Sequence, residues 1–173
     1  MQKIAQPFLR KLREEDIPQV VRIEKQAFAL PWTAESFRSE LKNNDFAHYL
    51  VVGDKREEEK VLAYGGFWLI LDEAHITNIA VEEAYRGQKI SLLLMEGLIN
   101  DATLKGARLM TLEVRRSNLT AISLYEKLGF IPEGVRKYYY TDNNEDALIM
   151  WANLVQGGKV SGENSDFCDR EQL

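Results

Sequence analysis

The sequence predicts a mixed α/β domain in which a central sheet carries helices on both faces. Apolar segments of strand length alternate with segments of helical periodicity, in the order strand, two helices, three strands, helix, strand, helix and two strands. The 173 residues, 45% of them hydrophobic and 28% charged, suffice for one globular domain with a substantial core.

The first half of the chain contains two predicted helices and four predicted strands. Asp16 followed by Gln19 matches a capping box and predicts the start of the first helix, and Thr33 is the predicted N-cap of the second. Gly65 and Gly66 interrupt a strand pattern, which indicates a bulge or a close backbone approach. The apolar segments that predict the strands are Phe8–Lys11, His48–Val52, Val61–Leu71 and His75–Val81.

The second half contains two further helices and three further strands. A polar loop over residues 82–89 leads into the third helix, which Gly106 ends. The fourth helix begins at Ser117 or Asn118 and has Gly129 as its C′ residue. The predicted strands are Arg108–Val114 and two that span Val135–Leu154 around the turn 141–144. Few apolar residues follow, so we expect the domain to occupy residues 1–154 and residues 155–173 to form a disordered tail.

The composition argues against several classes of function. A formal net charge of −5 disfavours a nucleic-acid binder that acts by phosphate neutralisation. The apolar run Tyr64–Leu71 is too short to span a bilayer, and residues 1–7 lack the apolar stretch of a signal peptide. Cys168 is the single cysteine, and His48 and His75 lack metal-site spacing. We expect a cytoplasmic monomer that binds no metal, nucleic acid or membrane.

One strand–loop–helix unit, from Ile79 to Leu94, has the features of an anion site. The N-terminus of a helix presents unpaired N–H groups and the positive end of the helix dipole. The loop adds the cations Arg86 and Lys89 and the glycine Gly87. It therefore suits a pyrophosphate, although on this segment alone an ordinary connection with surface charges is the simpler interpretation.

A second motif is more specific. The pattern N-x-x-A-x-x-L-Y-x-x-x-G-F is formed by Asn118, Ala121, Leu124, Tyr125, Gly129 and Phe130. With it the chain resembles the GNAT N-acetyltransferases over roughly residues 8–154. The resemblance is closest to their RimI-type branch, the ribosomal-protein-alanine N-acetyltransferases. The segments that point to this branch are Ala29–Thr33, Asn78–Val81, Arg136–Tyr140 and Glu145–Met150.

The resemblance implies the GNAT fold, a mostly antiparallel twisted sheet of about seven strands, and acetyl-CoA as cosubstrate. The backbone of Ile79, Ala80 and Val81 is implied to bind the pantetheine and the acetyl group. One backbone N–H of this strand is implied to polarise the thioester carbonyl. Asn118 is implied to form hydrogen bonds with the pantetheine amides. The loop implied to hold the pyrophosphate consists of Gly87, Gln88, Lys89, Ile90, Ser91 and Leu92. Lys89 and Ser91 stand where the family has small residues, usually glycine, so we expect acetyl-CoA binding to persist in weakened form.

The resemblance also implies the catalytic pair. Glu113 matches the proposed base, and its place on a buried strand favours partial burial, which makes a carboxylate a better proton acceptor. The alternative is that Glu113 pairs structurally with an arginine. Tyr125 matches the general acid, because a phenol is protonated at neutral pH. The alternatives are a core aromatic for Tyr125 and simple N-capping for Asn118.

The acceptor side follows from corresponding segments of the branch. A groove for an extended peptide is implied, although packing is an equally good interpretation of each of its residues: Trp32, Tyr138, Tyr139 and Tyr140. The implied acceptor is the α-amine of the N-terminal alanine of a small-subunit ribosomal protein. Two alternatives stay open: a GNAT that acetylates a small amine or a lysine side chain, and a CoA-binding interaction module without catalysis.

Overall fold

The computed structural model describes residues 6–155, without the side chains of residues 58 and 59. The predicted C-terminal tail, apart from Val155, lies outside the described residues, as does the start of the predicted domain. Four helices and seven strands form within this range. The helices are α1 (Ile17–Ala27), α2 (Ala34–Asn43), α3 (Ile90–Leu104) and α4 (Leu119–Lys127). The strands are β1 (Pro7–Lys11), β2 (Ala47–Asp54), β3 (Glu57–Ile70), β4 (Glu73–Val81), β5 (Leu109–Arg115), β6 (Ile131–Tyr140) and β7 (Glu145–Asn153).

All seven strands lie in one sheet, in the order β1-β2-β3-β4-β5-β7-β6. Five of the six neighbouring pairs are antiparallel, and only β4 and β5 run parallel. The predicted fold class, a mixed and mostly antiparallel sheet, is thus confirmed.

Helices cover both faces of the sheet because the strands alternate apolar side chains between two cores. On β2, Tyr49 and Val51 join the core formed with α1 and α2. Leu50 and Val52 join the core formed with α3 and α4. Each core is lined by fully buried side chains, so the sheet is a rigid layer on which the ends of strands and helices are fixed.

The two glycines of β3 fulfil both expectations. The ladder between β3 and β4 shifts register after Gly66, which leaves Thr77 as the extra residue of a β-bulge. A Cβ at Gly66 would collide with the ring of Tyr49. The Tyr49 hydroxyl lies 3.0 Å from Thr77 Oγ1, which donates to the carbonyl of Gly66 at 3.2 Å. The bulge at Thr77 lies two residues after His75, the last residue of β4 that pairs with β5.

Two local predictions were wrong. Asp16 occupies the N-cap of α1 but makes no capping bond with its side chain. Its carboxylate instead accepts two hydrogen bonds from the Arg10 guanidinium, at 2.6 and 2.8 Å, and Gln19 Oε1 accepts the N–H of Val61 at 3.0 Å. The partly buried Arg10 guanidinium offers a charged partner, and the same carboxylate accepts the N–H of Arg13 at 2.8 Å, so Asp16 caps the turn before α1 and not α1 itself. The strand predicted to begin at Val61 instead begins at Glu57, so most of the charged segment between the two predicted strands belongs to β3.

Candidate active site

A cleft opens between β4 and β5. The parallel ladder joins them only at three residue pairs and ends at His75 with Thr111. Beyond that pair the strands part, and a cavity of about 510 Å³ lies between them. Its walls come from α1 and the segment after it, from β4, from β5 and from the start of α4, and the tip of the β6–β7 hairpin borders it.

The structure brings seven of the predicted site residues to this cleft: Trp32, Ile79, Glu113, Asn118, Tyr125, Tyr139 and Tyr140. The other predicted residues lie outside its lining: Ala80, Val81, Gly87, Gln88, Lys89, Ile90, Ser91, Leu92 and Tyr138. The predicted base and acid therefore share one cavity, whereas the predicted pyrophosphate loop lies beyond it, along the continuation of β4.

Glu113 lines the cleft and also pairs with an arginine. It lies on β5 between the buried Leu112 and Val114, and its side chain is 24% exposed and lines the cleft. The carboxylate also pairs with an arginine, because Arg136 Nη2 on β6 lies 3.4 Å from Glu113 Oε1. This guanidinium is itself more than half exposed, so the pair orients the carboxylate at the wall of the cleft without sealing it.

Tyr125 is a buried residue of α4 whose ring packs against Phe130 at 5.9 Å. Burial, with a smaller contribution from Tyr140, raises the pKa of its phenol to about 12. The hydroxyl is therefore protonated throughout the neutral range. Tyr125 is therefore a core aromatic whose protonated hydroxyl belongs to the lining of the cleft.

Asn118 is the N-cap of α4, as one interpretation predicted. Its Oδ1 accepts the N–H of Ala121 at 3.2 Å. The residue is exposed and lines the cleft, so its amide NH₂ is available to a ligand there.

The loop before α3 takes the backbone shape that the family's glycines would allow. Gly87 has φ +75° and Lys89, the N-cap of α3, has φ +61°. Lys89 makes no side-chain cap, so the first N–H groups of α3 are left without a capping side chain. The loop thus keeps a backbone shape typical of glycine at the expense of a strained lysine.

The substitution Lys89→Gly is expected to raise the free energy of unfolding by about 0.5–1 kcal/mol, because it removes the cost of a side chain at positive φ. The matched control is Ser91→Gly, which is expected to destabilise by a similar amount, since Ser91 lies inside α3. Urea denaturation of both variants and the wild type measures the two effects. Changes of the same sign in both variants would contradict a strained Lys89.

The aromatic residues of β6 are arranged by a second irregularity. Tyr138 has φ +54°, and its N–H donates to Asp146 Oδ1 at 3.0 Å. Its side chain is 70% exposed, outside the cleft lining, whereas Tyr139 and Tyr140 border the cleft. The guanidinium of Arg115 lies 3.8 Å from the centre of the Tyr140 ring and pairs with Asp142 at 2.9 Å. Arg115 thereby fixes the tip of the hairpin over the cleft.

Sequence reasoning missed Glu24, a cleft residue that is 1% exposed. Its Oε1 accepts the N–H of Trp32 at 3.1 Å and the Asn78 amide at 3.3 Å. Burial raises the pKa of Glu24 to about 7, against the opposing effect of these two hydrogen bonds. A signal was available: Glu24 lies four residues after Val20 and three before Ala27, within the apolar stripe of α1, where an acidic residue is unusual.

Among the described side chains of residues 6–155, which leave out those of residues 58 and 59, there is no group of three or more His, Cys, Asp or Glu placed to hold a metal ion. Over the same residues, none of the helices is long and apolar enough to cross a bilayer.

Comparisons with known proteins identify the family. The sequence model of the acetyltransferase (GNAT) family matches residues 17–130, well over half of the chain. A Bacillus subtilis (strain 168) protein, provisionally named a ribosomal protein bS18-alanine N-acetyltransferase, is 46% identical over 146 residues, which are 84% of this chain and 95% of that relative.

Solved structures agree with the sequence matches. The ribosomal-protein-S18-alanine N-acetyltransferase of Escherichia coli superposes with a TM-score of 0.77 at 34% identity and covers 92% of this chain and 98% of its own. A NatC complex bound to Gag peptide and CoA shares the fold alone, with 21% identity, a TM-score of 0.75 and coverage of 86% and 99%. The chain belongs to the acetyltransferase (GNAT) family and, within it, to the RimI-type branch of ribosomal-protein-alanine N-acetyltransferases.

Proposed function

We propose that this chain transfers the acetyl group of acetyl-CoA to the N-terminal amine of a small-subunit ribosomal protein that begins with alanine. The observation that carries the proposal is the cleft between β4 and β5, which places Ile79, Glu113, Asn118 and Tyr125 around one cavity. The names of the two RimI-type relatives supply the acceptor class. Ribosomal proteins are made in the cytoplasm, which is where we place the activity.

The residues present fit acetyl-CoA. The edge of β4 that faces the cleft is not paired with β5 beyond His75, so this edge is open to the pantetheine at residues 79–81, apart from the Val81 carbonyl, which accepts a hydrogen bond from Arg86 Nε at 3.2 Å. The uncapped N-terminus of α3 offers N–H groups to the pyrophosphate, and a Cβ at Gly87 would have no neighbour within 4 Å, which leaves room for a ligand. When bound, acetyl-CoA supplies an acetyl group activated as a thioester.

The chain's own residues move the protons. An α-amine has a pKa of about 8, so near pH 7 most of it carries an extra proton that must be removed before attack. The Glu113 carboxylate accepts that proton, which leaves the nitrogen lone pair to form the C–N bond as the C–S bond breaks. The Tyr125 phenol donates a proton to the departing sulfur, and a backbone N–H of β4 polarises the carbonyl. The nitrogen loses its second proton as the amide forms, and this proton restores the Tyr125 phenol through solvent.

Glu113→Gln is expected to lower kcat at least about tenfold, because the amide cannot accept the proton. Arg136→Gln is the control: it removes the ion pair and keeps the carboxylate. A smaller loss in Arg136→Gln separates proton transfer from the structural ion pair. Equal losses in the two variants, measured by initial rates of CoA release, would assign Glu113 to the ion pair alone.

Mass spectrometry of a peptide panel incubated with acetyl-CoA tests the function. The panel contains an alanine-headed peptide, the same peptide with a blocked N-terminus and an internal lysine, and a set of small amines. Acetylation of the α-amine of the alanine-headed peptide is expected. Transfer only to lysine or to small amines would favour a GNAT enzyme that acetylates a small amine or a lysine side chain. Binding of acetyl-CoA without transfer to any acceptor would favour the interaction module.

A further inference from the structure

Glu24 and Asn78 form a buried polar pair at the cleft. Glu24 is 1% exposed on α1, Asn78 is 7% exposed on β4, and both line the cavity. Asn78 Nδ2 donates to Glu24 Oε1 at 3.3 Å, and the N–H of Trp32 donates to the same oxygen at 3.1 Å. Two atoms of the pair are left over: Glu24 Oε2 and Asn78 Oδ1 are buried and have no hydrogen-bond partner.

The two left-over atoms define the chemistry of what they bind. A buried acceptor without a partner destabilises a protein, so a pair of them at one cavity indicates a ligand that completes them. An ionised carboxylate oxygen and an amide oxygen can only accept hydrogen bonds. The missing group must therefore be a donor, and a positive charge suits the carboxylate best. Phosphate, carboxylate and carbonyl groups are excluded by repulsion.

We infer that Glu24 Oε2 and Asn78 Oδ1 bind the free amino group of the acceptor. An ammonium or amine brings several N–H donors, enough for both oxygens. Asn78 directly precedes Ile79, whose backbone we propose as a contact of the acetyl group, so an amine held there lies beside the thioester. This inference rests on the proposed function and adds to it the site that recognises the acceptor nitrogen.

The pair would also separate substrate from product. Acetylation converts the nitrogen to an uncharged amide with one N–H, which cannot satisfy both oxygens. Glu113, on β5 and tied to Arg136, keeps the separate role of accepting the proton. The pair on α1 and β4 therefore positions the amine and selects peptides with a free N-terminus.

Isothermal titration tests the inference without turnover. The full-length protein is saturated with CoA, and an alanine-headed hexapeptide is compared with its desamino analogue, in which propionyl replaces alanyl. The wild type is expected to bind the amine peptide at least about tenfold more tightly than the analogue, as a charge-assisted hydrogen bond predicts. In Glu24→Gln the preference is expected to fall to about twofold or less, because the unpartnered carboxylate oxygen is gone.

Three controls make the result specific. Glu35→Gln, the same change at an exposed residue of α2 outside the cleft, is expected to keep the preference for the amine in full, and Glu113→Gln is expected to keep more of it than Glu24→Gln does. The affinity for CoA is expected to be unchanged in Glu24→Gln. If Glu24→Gln fails to fold, Asn78→Ser replaces it and is expected to reduce the preference by at least about threefold.

A full preference for the amine in folded Glu24→Gln, or loss of it in Glu113→Gln alone, would overturn the inference and leave the transferase activity standing. Absence of acetylation of every amine by the wild type would instead refute the proposed function. The two failures are thus distinguishable.

Discussion

Replacing Tyr125 by phenylalanine is expected to lower kcat about a hundredfold, the usual size of a lost general acid. The substitution removes one hydroxyl and keeps the ring that packs against Phe130. The raised pKa of the phenol, about 12, means that the proton is present at every pH at which the protein is assayed near neutrality. The loss therefore should not depend on pH in the neutral range, and it should appear in kcat with little change in the Kd of acetyl-CoA.

Tyr64→Phe is the matched control. Tyr64 is also a buried tyrosine, its hydroxyl has no hydrogen-bond partner, and it lies outside the lining of the cleft. Its kcat is expected to equal that of the wild type. Comparable losses of kcat in the two variants would show that Tyr125 acts through packing and not through its proton.

The second large effect concerns stability. Glu24→Gln is expected to raise the free energy of unfolding of the ligand-free protein above pH 7 by about 3 kcal/mol, from the difference between the ordinary pKa of its carboxyl and the raised one. Burial holds the pKa of Glu24 at about 7 in the folded state, above 4.5. The folded protein then binds more protons than the unfolded chain between these values, so wild-type stability falls as the pH rises from 4.5 through 7.

Urea denaturation at about pH 4 and about pH 8.5 measures this difference. Below pH 4.5 the Glu24 carboxyl is protonated in both the folded and the unfolded protein, so the variant and the wild type should have the same free energy of unfolding there. Glu35→Gln serves as control, because Glu35 is largely exposed and is expected to show no gain at high pH. An equal difference between Glu24→Gln and the wild type at both pH values would remove the buried charge as its cause.

Secondary structure followed closely from the sequence because most segments carry consistent local signals. The helix α4 is an example: Asn118 caps it, apolar residues follow at helical spacing, and Gly129 takes φ +89° after its end. The errors occurred where a distant residue offered a better partner. Asp16 bonds with Arg10 and Gln19 with Val61, and a pattern confined to one helix contains neither contact.

The candidate site was predictable only in part. Glu113 and Tyr125 were found through a motif, and the structure brings both to one cleft. Glu24 belongs to no such motif, and its burial depends on α1 packing against β4, a tertiary contact. The separation of β4 from β5 could not be predicted from the sequence either, because it depends on the bulge at Thr77 and on where the parallel ladder ends. Sequence patterns identify residue types, whereas the space between them is set by the sheet.

The parallel ladder between β4 and β5, which has only three residue pairs, has a consequence for engineering. Because the cavity arises from two diverging strands and not from a loop folded over the surface, its width is a property of the main chain. Under the proposed function, exchange of side chains that line it, such as Trp32 and Tyr139, is expected to redirect the protein toward other acceptors while the gap itself stays constant. A library that varies only these side chains would explore acceptor choice on an unchanged scaffold.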